Sequence, residues 1–260
     1  MIKAIFFDVD GTLLSHTTGK VPKSTQFAIR QLRRKGIKLF LATGRHKLEI
    51  EELPVNELTF DGYITLNGQI CLDAYGQLIY SVPIKAADTL RMVSVFERKE
   101  LPVLLVERDR MYINFVNESV CCAQKAISTP VPEVGIYRGD QIYQCIVFDD
   151  GSRVNTFIKE LPACKMSRWN PYGVDIISKE GGKVAGIQYC LRQFHLAPDE
   201  IMAFGDGEND KEMLRYAGVG IAMGNADGDV KMVADYVTQS VDRDGIYAAL
   251  QHYKIIAEEK

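Results

Sequence analysis

Residues 2–9 form a short, nearly continuous apolar run, and two aspartates one residue apart, Asp8 and Asp10, close it with Gly11 directly behind them. An apolar stretch without alternation suits a strand covered on both faces, as in the parallel sheet of an α/β domain. Residues two apart on a strand project to the same side, so both carboxylates are expected together at the strand's carboxyl end. In open α/β sheets that end is where ligands bind.

The same grammar runs through both ends of the chain. Thr25, Ala28, Ile29 and Leu32 recur at i, i+3, i+4 and i+7 in PKSTQFAIRQLRRK (22–35), which predicts a helix entered at Pro22 and left at Gly36. IKLFLATGR (37–45) and DGYITLNGQ (61–69) read as further strands, ending in Thr-Gly-Arg and Asn-Gly. Later, IMAFGDGEND (201–210), GVGIAMGNA (218–226) and DYVTQS (235–240) read as strands, and DGIYAALQHYKII (244–256) as a closing helix. Strands and helices in this order predict a doubly wound parallel sheet.

The middle reads differently. A helix near 85–99 precedes a hairpin, PVLLVE (102–107) and MYINFV (111–116), joined across Arg108–Arg110. A short helix, the strand QIYQCIVF (141–148), a helix near 153–160 and strands near 163–168 and 172–177 follow. The expected layout is an α/β core, residues 1–81 and 182–260, interrupted by an inserted α/β domain, residues 82–181.

The formal net charge of -3 offers no bulk attraction to nucleic acid or an anionic membrane. The basic run RQLRRKGIK (30–38) reads as the solvated end of the first helix. No stretch approaches the roughly 18 apolar residues of a membrane span, and the acids of MIKAIFFDVDG do not fit a signal peptide. The six cysteines include no CxxC pair and no histidine at zinc spacing, so they read mostly as small core hydrophobes of a reduced, cytoplasmic protein. Nothing in the pattern speaks to oligomeric state.

Thr43 ends its strand as Asp8 ends the first, and Asp206 ends the strand after the insert, with Asp210 four residues on. Four carboxylates at one sheet edge repel unless a cation lies among them. A hard divalent ion such as Mg²⁺ takes a few carboxylates, water and substrate phosphate. This set suits phosphoryl transfer. Asp8 is the candidate nucleophile, forming an aspartyl-phosphate, and Asp10 the candidate general acid and base. Gly11 leaves room for phosphate at the backbone. Thr43 offers a hydroxyl and Lys183 a point charge to phosphoryl oxygens, which with the ion neutralise the transition state. Arg45 either pairs with a core acid or reaches substrate; Asn67-Gly68 is a turn or a substrate contact. Trp169 and Tyr172 are a substrate wall or internal packing.

DVDGT (8–12), TGR (43–45), Lys183 and GDGEND (205–210), in that order, resemble the four motifs of the haloacid dehalogenase superfamily. The insert between the second and third motifs, ITLNGQ (64–69) and the tail AMGNADGDVKMVADYVT resemble its Cof-type, subclass IIB sugar-phosphatase branch. The resemblance implies a Rossmann-like core with a C2-type α/β cap that closes to exclude water and opens to release product. It implies Mg²⁺ on Asp8, the backbone carbonyl of Asp10 and Asp206, with Asp210 acting through the metal's waters. Thr43, Gly44 and Lys183 fall at the phosphate, and Asn209 bonds the phosphate or steadies Lys183. The family's usual glycine after the lysine is missing: Gly182 precedes Lys183 and Val184 follows, which keeps Lys179 as a competitor. The expected substrate is a small phosphomonoester, a sugar phosphate or related metabolite. Two rivals stand beside the phosphatase: a phosphotransferase or mutase using the same intermediate, and a non-catalytic phosphate-binding regulator.

Other motifs fail on inspection. Lys211 stands where a calcium-binding EF loop needs glycine. Asp210 replaces the last glycine of GxGxxG, Ile177 and Val184 break a P-loop at GGK (181–183), and no GxSxG occurs.

Overall fold

In the computed structural model, which describes residues 1–127 and 129–257, the opening apolar run is strand β1 (Ala4–Phe7), buried throughout. Its side chains divide by parity. Ile5 and Phe7 pack with Ala28, Ile29, Leu32, Ala249 and Leu250, whereas Ala4 and Phe6 pack with Ile187, Leu191, Met213 and Leu214. Two covered faces explain why the run has no polar alternation. The chain continues through helix α1 (Lys23–Arg34), β2 (Lys38–Ala42), α2 (Lys47–Glu51), β3 (Gly62–Thr65), β4 (Ile70–Asp73) and β5 (Leu78–Ser81). In α1 the predicted stripe is buried, Arg33 and Arg34 occupy the last turn, and Gly36 exits with φ 72°.

Residues 81–182 form a compact unit of their own. It comprises α3 (Ala86–Arg98), β6 (Val103–Val106), β7 (Met111–Ile113), α4 (Glu118–Ala126), β8 (Gln144–Val147), α5 (Ser152–Phe157), β9 (Cys164–Asn170) and β10 (Gly173–Ser178). The strands make an antiparallel sheet in the order β7-β6-β8-β10-β9, with the predicted hairpin as β6 and β7. Met92, Val95 and Phe96 of α3 and Val154 and Phe157 of α5 pack on Val103, Leu105, Val147, Val174 and Ile176. Trp169 packs inside the β9–β10 hairpin. A Cβ at Gly173 would stand 2.5 Å from its ring, and its Nε1 donates to Asp175 Oδ1 at 2.9 Å. Tyr172 is exposed. Lys85 and Glu180, near the two ends of this unit, form an ion pair at 2.5 Å.

The other unit, residues 1–80 and 183–260, is completed by α6 (Lys183–Phe194), β11 (Ile201–Gly205), α7 (Lys211–Tyr216), β12 (Val219–Ala222), α8 (Gly228–Lys231), β13 (Tyr236–Val237) and α9 (Gly245–His252). Its sheet runs β13-β12-β11-β1-β2-β3-β4-β5, parallel from β13 to β3 and antiparallel between β3 and β4. This is the doubly wound, Rossmann-like arrangement expected, with a β4–β5 extension that the sequence pattern did not reveal. Strand order reverses at β1, which has β2 on one side and β11 on the other, so a topological switch point lies there. Ring stacking ties the strands across it: Phe6 on Phe40 at 4.7 Å and Phe7 on Phe204 at 5.3 Å.

All six cysteines are free; Cys71, Cys145, Cys164 and Cys190 are buried, but Cys121 and Cys122 on α4 are exposed rather than in the core. No described helix is long and apolar enough to cross a membrane.

Candidate active site

The Asp8 N–H donates to the Phe204 carbonyl of β11 at 3.0 Å, so Asp8 stands at the switch point, with only 6% of its surface exposed. Beyond it the N–H groups of Thr12, Leu13 and Leu14 converge on the Val9 carbonyl at 2.8–3.3 Å and fold residues 9–14 into a tight loop. Gly11 in that loop has φ 73°, and a Cβ there would lie 2.1 Å from Asp206 Oδ2. The space expected to admit phosphate thus admits a carboxylate of the chain itself. Any other residue at Gly11 would displace Asp206.

Lys183 is the first residue of α6 and is buried, with Nζ 2.7 Å from Asp8 Oδ1 and 2.6 Å from Asp210 Oδ1. A cation in the first turn of a helix opposes the helix dipole. Burial also works against its charge, yet Asp210 and Asp8 together raise its pKa above the ordinary lysine value. Gly186 lets α6 settle this deep, because a Cβ there would stand 2.6 Å from Ile64 Cγ2 and 3.0 Å from Cys71 Sγ. Lys179, the competitor in sequence, belongs to the inserted unit and donates to the Pro162 carbonyl at 2.8 Å.

Asp206 and Asp210 follow the end of β11. Asp210 is fully buried: its Oδ1 accepts from Lys183, and its Oδ2 accepts the N–H groups of Asp206 at 3.0 Å and Gly207 at 2.9 Å. It therefore braces the loop that carries Asp206. Asp206 in turn accepts the Thr12 hydroxyl on Oδ1 at 2.9 Å and the Asn225 amide on Oδ2 at 3.0 Å. One oxygen each of Asp8, Asp206 and Asp210 lies within 4.8 Å of the others. Burial first and Asp210 second raise Asp206 to about 7 and hold Asp8 well above the carboxylate range.

Asp10 is outside that trio. Its Oδ2 lies 2.7 Å from Arg45 Nε and its Oδ1 2.7 Å from Nη2, a fork-to-fork pair. Of the two readings open for Arg45, pairing with a core acid is the one observed. Counting Asp10, four carboxylates face the two cations Lys183 and Arg45. Glu49 beside Arg45 adds a fifth, so negative charge is in formal surplus, and the donors are hard oxygens of the kind Mg²⁺ prefers. The residues fit such an ion.

The loop carrying Thr43, Gly44 and Arg45 is pinned from within and from beside. Thr43 Oγ1 accepts the Arg45 N–H at 3.1 Å, and the Thr43 and Arg45 carbonyls accept the Asn67 and Leu66 N–H groups at 2.9 and 3.1 Å. To make these bonds Leu66 and Asn67 adopt φ of 50° and 53° in succession. Asparagine tolerates that region, whereas leucine pays about 1–2 kcal/mol for it. Asn67 is thus a turn residue, and also part of the site: its Oδ1 accepts Asn209 Nδ2 at 2.8 Å. Asn209 holds Asn67 by this bond rather than Lys183, whose ammonium rests on Asp8 and Asp210.

Three residues outside the expected set join this network. Thr12 was visible as the last residue of DVDGT and Asn225 as the asparagine of AMGNA. Glu49, whose Oε1 lies 3.6 Å from Arg45 Nη1, stands at the i+4 spacing of a helical ion pair.

Residues 5–250 match the haloacid dehalogenase-like hydrolase family. YkrA of Bacillus subtilis (strain 168), named as a candidate phosphatase, is 30% identical over 257 residues that cover 98% of each chain. The solved structure of BT1666 from Bacteroides thetaiotaomicron, among phosphatases of the haloalkanoate enzyme superfamily, superposes with a TM-score of 0.90 at 33% identity, over 98% of this chain and 96% of its own. BT4131, a subclass IIB sugar phosphatase, superposes with a TM-score of 0.87 at 35% identity, over 98% and 100%. With the acid-bearing strand ends, the lysine at the head of α6 and a match spanning nearly its whole length, the chain belongs to the haloacid dehalogenase-like hydrolases.

Proposed function

We propose that the chain is a Mg²⁺-dependent phosphatase that hydrolyses a small phosphomonoester through an aspartyl-phosphate on Asp8, with Asp10 as general acid and base. The observation that carries this reading is the buried contact of Lys183 with Asp8 and Asp210 beside Asp206. An Asp8 oxygen attacks phosphorus as the bond to the leaving oxygen breaks, and the proton on Asp10 passes to that oxygen. Water then attacks the phosphorus of the aspartyl-phosphate and gives its proton to Asp10. Inorganic phosphate leaves, and Asp8 is again a carboxylate.

Lys183, the Thr43 hydroxyl and Gly44 hold phosphoryl oxygens in this scheme, with Asn209 and its partner Asn67 beside them. Arg45 occupies both Asp10 oxygens, so the acid step requires one of those bonds to open. Asp8, Asp206 and the Asp10 carbonyl would hold Mg²⁺, with Asp210 supporting them, and the bound ion would supply positive charge against the phosphoryl oxygens. The substrate is a sugar phosphate or related metabolite, a choice supported by similarity to the sugar phosphatase BT4131. Residues 82–181 are read as the cap domain, and the free thiols of all six cysteines suit a cytoplasmic location.

The test is phosphate release from a panel of phosphorylated metabolites, with Mg²⁺ and with EDTA, beside Asp8→Asn. Release should stop with EDTA, return with Mg²⁺, and fall on the order of a millionfold in the variant, the scale on which loss of a nucleophile acts in other enzymes. Undiminished release by Asp8→Asn sinks the mechanism. Phosphate moved to a new hydroxyl without free phosphate marks a phosphotransferase or mutase, and binding without turnover marks a regulator.

A further inference from the structure

Asn225, in the AMGNA segment after β12, has no part in the scheme above, yet its side chain joins three loops. The Val241 N–H can only donate, and it does so to Asn225 Oδ1 at 2.9 Å, which settles which end of the carboxamide is oxygen. Nδ2 then directs its two protons at the loops that carry the acids: one to the Gly11 carbonyl at 2.9 Å, the other to Asp206 Oδ2 at 3.0 Å. That oxygen is the atom for which Gly11 makes room. The opposite oxygen of Asp206 takes the Thr12 hydroxyl at 2.9 Å. The carboxylate plane is therefore held at both ends, by the opening loop on one side and by Asn225 on the other.

We propose that Asn225 is a positioning residue for the divalent-cation site. It docks Asp206 Oδ2 against the Gly11 loop and so presets the orientation in which the carboxylate meets the ion. The inference rests on the metal reading given above. Hydrogen-bond partners of metal ligands commonly change metal affinity by about 10–100-fold when removed. Asn225 also ties loops together, and the two roles must be separated. Ser15 supplies the control, because its hydroxyl bonds Asp242 Oδ1, next to Val241, and so links the opening loop to the same segment without touching Asp206. Asn225 itself is exposed, so shortening it opens no cavity in the core.

The experiment is calorimetric titration of the metal-free full chain with MgCl₂, beside Asn225→Ala, Asn225→Ser and Ser15→Ala, with the melting temperature of each read in EDTA. The Kd for Mg²⁺ should weaken at least about tenfold in both Asn225 variants and stay within about twofold in Ser15→Ala. The Mg²⁺ concentration for half-maximal turnover should rise by the same factor. Wild-type affinity in the Asn225 variants overturns the proposal. So does an equal loss in Ser15→Ala, or a fall in melting temperature in EDTA beyond that of Ser15→Ala, since either assigns Asn225 to loop tying. A wild-type chain that binds no Mg²⁺ overturns the metal reading itself.

Discussion

Asp10 has both oxygens on Arg45, and only 27% of its side chain is exposed, so its substitution tests chemistry and structure together. Asp10→Asn should lower kcat by roughly 10²–10⁴, the usual contribution of a positioned acid or base. The amide still offers one acceptor to the guanidinium, so the stability loss should stay near 1–3 kcal/mol by order of magnitude, the value of a hydrogen bond to a charged group. Steady-state kinetics and urea unfolding read the two effects separately, and turnover near the wild-type rate removes Asp10 from its role. At this scale the sequence was informative about which residues end strands, because apolar runs that stop at acids are a local pattern. Of partners it offered a core acid for Arg45 without singling out Asp10, and it left the contact between Asn209 and Asn67 unread. Asn209 meets Asn67 only because Leu66 and Asn67 both turn left-handed, and nothing in ITLNGQ announces two such residues in a row.

The elements most easily read were those with a periodic buried face, such as α1 with its four-residue stripe. Two kinds escaped. β4 and β5 are four residues each and follow β3 almost directly, so their apolar residues merge into one stretch until the Asp73 side chain, accepting from the Tyr75 and Gln77 N–H groups, is seen to reverse the chain. α6 begins among Gly181, Gly182 and Gly186, a composition that argues against a helix. Its glycine is there for packing. Gly186→Ala gains about 1 kcal/mol of helix propensity, but the new methyl meets Ile64 at 2.6 Å, and overpacking costs about 1–3 kcal/mol. The expected result is a lower urea midpoint and, because α6 carries Lys183, weaker turnover. A midpoint at or above wild type would show that Ile64 and Cys71 yield without strain.

For the whole molecule, the surplus of negative charge at the switch point makes stability depend on pH and cation together. In the metal-free chain burial and Asp210 raise Asp206 from 3.8 to about 7. The folded form then holds a proton that the unfolded form has released. Its stabilising contribution is complete below the unfolded value and is lost as pH rises through the folded one. The metal-free protein should therefore lose melting temperature between about pH 4 and pH 7 through this group, and saturating Mg²⁺, which binds the folded chain, should raise it. The increment should be larger at pH 8 than at pH 5, where protons compete with the ion. A pH-independent increment in differential scanning calorimetry would contradict the assignment. The fold class itself was legible from strand and helix periodicity, but which side of β1 receives β11 was not, since that depends on contacts far apart in sequence.

That distance gives the Lys85–Glu180 pair a meaning beyond its own small energy. Ala4 and Ile201 are partners in neighbouring strands, yet the entire insert lies between them in the chain. As a slack tether it would add to the entropic cost of closing the β1–β11 loop. Folded on its own core, with Lys85 and Glu180 brought to 2.5 Å, it behaves as a short clasp instead. Taking residues 81–182 out of the Ala4–Ile201 separation roughly halves the effective loop, which lowers the closure cost by about 0.6 kcal/mol. An insertion that joins its own ends can thus vary in sequence and size while the distant strands it separates still find each other.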